Sequence, residues 1–268
     1  MVGCLLKKGL KTREPLGETV KDSESRKVRI FTRILPELSI AAPYFSIVAV
    51  KRRLVELQVA IAEGSLLHYL SDAVERKIIY GAGQGWYSRL EQSLTLSEKP
   101  LAHLIRLVSK EFPLLEFCCW STQQINPFTH HILAKHTVFL YADGDALPSV
   151  ADFLRAEKWD ALTDPNKADV RRLHRPGERS VILRPAISKQ PQDTDHLAPP
   201  EKVLVDLQIE ADAVMLMDRD EANTVLRKAV SSGRINIASL MGYAKRRRVD
   251  IACEDDSLGP QVARLWSE

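Results

Sequence analysis

Five side chains between Ser65 and Arg76 carry groups suited to reading a hydrogen-bonding surface: Ser65, His68, Tyr69, Asp72 and Arg76. Set on one side of a helix, they can meet the donors and acceptors that base edges present in a DNA major groove. Leu66, Leu70, Ala73 and Val74 recur among them at helical spacing. That spacing predicts a helix from Ser65 to Lys77 with its apolar side turned to a small core. Ile78, Ile79 and Tyr80 then read as a strand, Gly81, Gly83 and Gly85 as a tight turn, and Trp86, Tyr87 and Ser88 as the returning strand. Turn, helix and glycine-tipped hairpin, in that order, are the parts of a winged helix-turn-helix. The bland alternative is a helix and hairpin that only pack.

Other polar residues fit the same chemistry in supporting roles. Lys51, Arg52, Arg53, Lys77 and Arg89 are placed for phosphates, which position a protein on DNA without reading its sequence. Gln84 at the hairpin tip is placed for an adjacent minor groove, and Trp86 for packing against the hairpin base. Asp72 would repel phosphate, so it either accepts from a cytosine amino group or faces solvent.

Enzymatic readings find less support. After Gly81-x-Gly83-x-Gly85 come strand-forming residues, whereas a nucleotide loop needs a helix whose N-terminus holds the pyrophosphate. Asp143 and Asp145 form a D-x-D that could hold a metal in a nucleotidyltransferase, yet the Gly-Ser turn such an enzyme wants just upstream is absent. Turn and capping duties account for both aspartates more simply. The four cysteines, Cys4, Cys118, Cys119 and Cys253, show no CxxC spacing, and their spacing with His130, His131 and His136 matches no common zinc site. Cys118 and Cys119 read as reduced thiols in a buried strand. No cofactor or metal is expected.

The elements that must position these groups follow from composition and pattern. A chain of 268 residues, 45% hydrophobic and 27% charged, can fill two cores. No apolar run approaches the roughly 20 residues that span a bilayer, and no secretory signal stands out, so a cytoplasmic location is the expectation. The net charge of +3 is too small to identify a polyanion partner; clustering matters more. Basic residues gather in the first 33 positions, at Lys51–Arg53, and at Lys245, Arg246, Arg247 and Arg248. The last group, with Tyr243, could meet an acidic protein surface or DNA, or simply serve a helix C-terminus.

Residues 1–45 read as a basic, mobile extension, 46–95 as the winged-helix unit, and 96–268 as a larger C-terminal domain. Val28 to Leu35 fits either a strand or a helix. Helices are predicted over Val48–Ala62, Leu101–Glu111, Leu147–Ala156, Glu201–Glu210, Asp220–Ser232 and from Asn236 to Arg248, with Gly64 marking the turn into the recognition helix. Leu115–Trp120, Thr137–Tyr141 and Ser180–Leu183 read as strands. Trp120, Ser121, Thr122 and Asn126 either shape a surface or organise a loop. Helices and strands mix without regular βαβ alternation, which predicts an α+β fold.

Four phrases in order, the hairpin GAGQGWYSRL, CWSTQQINPFTHH (Cys119–His131), PPEKVLVDL (Pro199–Leu207) and GRINIASLMGYAKRRR (Gly233–Arg248), resemble the AbiE-type antitoxins of abortive-infection, type IV toxin–antitoxin pairs. The resemblance spans roughly Ser46 to Ile251. It implies phage defence, neutralisation of a nucleotidyltransferase-like toxin, and repression of the chain's own operon at inverted repeats in promoter DNA. It also implies no catalysis and no membrane partner, with a monomer or weak dimer on DNA. Two rivals stand beside it. One is a free-standing winged-helix regulator whose C-terminal domain senses a ligand or oligomerises. The other is a metal-dependent nucleic-acid enzyme using Asp143 and Asp145.

Overall fold

The computed structural model describes residues 26–251 except 92, 131, 134, 192 and 193. Cys4, Cys253, His131 and the first 25 residues of the expected extension therefore lie outside the described residues.

The first half is a helical cluster closed by a small sheet. From residue 26 the chain is helical, passing through a π-helical turn at Ile30–Ile34 into α1 (Leu35–Ala41). Pro36 sits in the first turn of α1, a position compatible with its missing N–H. Strand β1 (Tyr44–Ser46) leads directly to α2 (Ile47–Glu56), whose N-terminus is capped by the Ser46 hydroxyl accepting the Ala49 N–H. Next come α3 (Glu63–Glu75), β2 (Tyr80–Gly81) and β3 (Trp86–Ser88). The three strands pair antiparallel in the order β1-β3-β2, with Ser88 opposite both Tyr44 and Tyr80.

The core of this unit contains Ile30, Ile34, Leu35, Phe45, Val50, Leu54, Leu66, Leu70, Ala73 and Ile79. Residues 30–45 thus belong to the packed unit and not to the mobile extension that their sequence suggests. Val28–Leu35, which fits strand or helix by sequence, is helical. Helix α2 stops at Glu56, short of the expected Ala62. Gln58 turns into the left-handed region, and the Val59 N–H returns to the Leu54 carbonyl. Gly64 lies inside the first turn of α3.

The second half is built on a four-stranded sheet. In chain order its elements are α4 (Ala102–Glu111), β4 (Phe117–Ser121), β5 (Val138–Ala142), α5 (Leu147–Ala156), β6 (Asp160–Thr163), α6 (Lys167–Leu173) and β7 (Ser180–Pro185). Helices α7 (Pro200–Ala213), α8 (Arg219–Ser231) and α9 (Ile237–Arg247) follow. Strand order is β4-β5-β7-β6, with β4 antiparallel to β5 and the other pairs parallel. Residues 138–185 are therefore a β-α-β-α-β run, a regular alternation that the sequence pattern does not announce, because β6 and α6 leave no clear signal in it. Helices α4 and α5 cover one face of the sheet. Val170 of α6 and helices α7 to α9 cover the other. The protein is mixed α+β, and no helix among the described residues is long and apolar enough to cross a membrane.

Candidate nucleic-acid interface

Helix α3 is amphipathic at the spacing its sequence dictates. Leu66, Leu70 and Ala73 are buried, while Ser65, Leu67, His68, Ser71, Glu75 and Arg76 are exposed. Tyr69 is only half-exposed, and the Lys27 ammonium lies 5.9 Å from its ring centroid. Asp72 neither faces solvent nor stands open to a base. Its carboxylate forms an ion pair with Lys27 at 2.6 Å and accepts from Arg76 Nε at 2.9 Å, and these partners hold it below the usual carboxylate range. It therefore brackets the first helical segment to α3, a role its sequence position did not reveal.

Of the basic residues expected at phosphates, Lys51, Arg53 and Lys77 carry a carboxylate partner. Lys51 pairs with Glu63 at 2.5 Å, Arg53 with Glu37 and Glu56, and Lys77 with Glu91. Lys51 lowers the Glu63 pKa, and Glu91 raises that of Lys77. Arg52 and Arg89 are exposed and enter no ion pair among the described residues. Exposed pairs of this kind are screened by solvent, so phosphate can displace the carboxylates.

The hairpin is not a free wing. Gly83 has a φ of 106°, and a β-carbon there would lie 2.3 Å from Asn236 Oδ1 and 2.5 Å from the Ala238 β-carbon. Only glycine lets the tip close onto the start of α9. Trp86, expected against the hairpin base, is buried in one core with α7, α8 and α9. Ser88 Oγ donates to the Gly233 carbonyl at 2.7 Å, and the Leu94 N–H donates to Arg234 O at 2.9 Å. Gln84 stays exposed, but the hairpin that carries it is held by residues 233–238.

Residues 65–255 match a family of unknown function, DUF6577. This chain belongs to that family. No curated protein and no solved structure matches it. The DUF6577 match begins at Ser65 on α3 and runs through the hairpin and the whole second sheet.

In this DUF6577 protein the basic run that ends α9 divides. Lys245, Arg246 and Arg248 are exposed. Tyr243, expected at a surface, is fully buried: its hydroxyl donates to Asp206 Oδ1 at 2.8 Å and accepts from Lys202 Nζ at 2.9 Å. Lys202 and Asp206, both wholly buried, pair at 2.7 Å, and the Lys202 ammonium sits 3.6 Å from the Tyr141 ring centroid. Arg247 turns inward as well, its Nε 3.4 Å from Asp206 Oδ1. Burial pushes the Tyr243 hydroxyl well up. Beside this group, Arg184 binds Glu210 through two hydrogen bonds at 3.0 and 2.7 Å. Burial raises the Glu210 pKa, while Arg184 opposes that shift. The network fastens α7 to α9. Its sequence signal was Lys202 and Asp206 at i,i+4 among Val203, Leu204, Val205 and Leu207, spacing at which the two side chains meet.

Other sequence candidates make hydrogen bonds within the fold. Ser121 caps the 3-10 segment Thr122–Phe128, Thr122 Oγ1 accepts the Thr137 N–H, and Asn126 Oδ1 accepts the Leu133 N–H, so these residues organise a loop. Cys118 and Cys119 are free, buried thiols, and burial pushes Cys118 up to about 11. Asp143 Oδ1 accepts the Asp145 N–H in a turn leading to α5. Among the described residues no three His, Cys, Asp or Glu side chains are grouped to hold a metal ion.

Proposed function

We propose that residues 26–91 form a winged helix-turn-helix that binds DNA. In this reading α2 and α3 are the helix-turn-helix pair, α3 enters the major groove, and the hairpin from Tyr80 to Ser88 is the wing. Two features support it: the order helix, β1, α2, α3, β2, β3, and the sheet order β1-β3-β2. The observation that carries it is the exposed side of α3, where Ser65, His68 and Arg76 project opposite a core of Leu66, Leu70 and Ala73. In this reading the exposed Arg52 and Arg89 hold phosphates.

The protein is then a cytoplasmic antitoxin and autorepressor. The second half neutralises a nucleotidyltransferase-like toxin, and the first represses the operon at promoter repeats. The resemblance of residues 46–251 to AbiE-type antitoxins supports this part of the reading. The test is fluorescence anisotropy on the chain's own upstream DNA and on scrambled DNA, titrated with salt. Preference for the upstream DNA by about a thousandfold with a steep salt slope is the expected result. Equal weak binding to both would reduce α3 and its hairpin to packing elements. Rescue from the neighbouring gene product on co-expression tests the antitoxin half.

A further inference from the structure

Helix α3 has an unfavourable charge for an element that approaches phosphates. It carries Glu63, Asp72 and Glu75, with no lysine or arginine before Arg76 at its end. Like charges brought together at an interface repel, so carboxylates on this helix work against DNA. Cations from other segments cancel two of the three. Lys51 of α2 pairs with Glu63, and Lys27, on the helical segment ahead of α1, pairs with Asp72.

The two cations on Asp72 are held differently. Lys27 Nζ lies 2.6 Å from Oδ2 and Arg76 Nε donates to Oδ1 at 2.9 Å, so each has an oxygen of its own. Lys27 has further anchors. Its ammonium is 5.5 Å from the Phe31 ring centroid and 5.9 Å from that of Tyr69, and its side chain is only 29% exposed. Arg76 is 59% exposed and has Asp72 as its one partner among the described residues. Arg76 can therefore swing away while Lys27 stays, and the carboxylate left behind keeps a counter-charge. We propose that Lys27 is a positioning residue for DNA binding: it neutralises Asp72, so that Arg76 is released to a base edge and phosphates meet no bare carboxylate beside it. This role rests on α3 being a recognition helix, as proposed above. Lys27 itself precedes the residues matched to DUF6577.

The experiment is fluorescence anisotropy of the full chain on its upstream DNA, with Lys27→Met, Asp72→Asn and the double variant. Lys27→Met should weaken binding about tenfold, since one carboxylate is left uncompensated near phosphates and salt limits the cost. Lys27→Arg, which keeps the charge, should bind like the native chain. Asp72→Asn should bind at least as tightly as the native chain, and the double variant should come within about twofold of it. A Lys27 that held phosphate itself would lose as much in the Asp72→Asn background. One that only packed its segment against α3 would likewise show no recovery. Either result overturns the proposal. Should Lys27→Met not fold, Asp72→Asn decides alone, and a tenfold loss there would overturn it too. Native preference for upstream DNA with Lys27→Met unchanged would remove this role and leave the winged helix standing. A native chain with no such preference would remove both.

Discussion

The Tyr44 hydroxyl accepts the backbone N–H of Ile235 at 2.5 Å, joining two residues 191 positions apart in the chain. Both are buried, at 1% and 2% exposure, so the bond spans the seam between the first sheet and the segment that starts α9. Tyr44→Phe keeps the ring and removes the acceptor. A buried N–H left unpaired costs about 1–3 kcal/mol. Urea denaturation should show that loss; under about 0.5 kcal/mol would mean another acceptor takes the bond.

Gly83 and Gly81 stand two residues apart in the same hairpin and should respond unequally to alanine. At Gly83 the added carbon meets Asn236 and Ala238 at a φ that L-residues rarely adopt; at Gly81 nothing lies within 4 Å. Gly83→Ala should cost about 1–3 kcal/mol or more from strain, and Gly81→Ala no more than about 0.5 kcal/mol. The first should also expose the connector between β3 and α4 to limited proteolysis. Equal melting temperatures for the two variants would mean that the hairpin does not bear on α9 in solution.

The Lys202–Asp206–Tyr243 group should behave as a unit. Lys202→Met leaves the buried Asp206 carboxylate with only Tyr243 and the more distant Arg247. Removing one partner of a buried pair costs about 3–5 kcal/mol, whereas replacing both with apolar side chains is often near neutral. Lys202→Met with Asp206→Leu should therefore recover most of the single variant's loss. Simple additivity in the double-mutant cycle would show that the pair is not coupled.

How much of this was visible in the sequence depended on element length. Helices α5, α7, α8 and α9 announced themselves through apolar periodicity and end signals: Pro200 opening α7, Gly233 at φ 75° after α8, and Asn236 capping α9. Strand β6 has four residues with only Ala161 buried, and α6 buries only Val170, so neither spans enough turns or alternations to show a period. The face of α3 could be read from its own spacing. Its partners could not, because Lys27 and Glu91 reach it from other segments. The burial of Tyr243 was hidden for the same reason: a tyrosine beside four cations looks like surface until α7 is laid over it.

His174 gives the protein a pH dependence distinct from that of its lowered carboxylates. Its ring lies between Thr137 Oγ1 at 3.0 Å and Ser180 Oγ at 3.4 Å. Burial lowers its pKa below 6.5, with Asp160 opposing the shift and Arg175 adding to it. The unfolded chain then binds the proton more readily, so stability rises with pH. This contribution is complete above 6.5 and fades as pH falls from there through the folded value. The lowered carboxylates Glu37, Glu63, Asp72 and Asp212 act only below their ordinary values of 4.5 and 3.8. Stability curves should therefore slope just below pH 6.5 in the native protein and be flatter there in His174→Gln. An unchanged slope would assign the proton uptake elsewhere.

On DNA, the base-reading and phosphate-holding side chains should separate by experiment. Arg52 and Arg89 are exposed with no carboxylate partner among the described residues, so Arg52→Glu with Arg89→Glu should weaken binding to upstream and scrambled DNA alike. The salt slope should fall by about 0.9 for each phosphate that is no longer neutralised. Arg76 has a different position, at the end of α3, where it must leave Asp72 to reach a base. If it bonds a base edge in bidentate fashion, Arg76→Ala should cost about 1–3 kcal/mol on upstream DNA and far less on the scrambled sequence. Equal losses on both would move Arg76 from reading bases to holding phosphate. His68→Ala and Ser65→Ala would then be left to carry the specificity of α3.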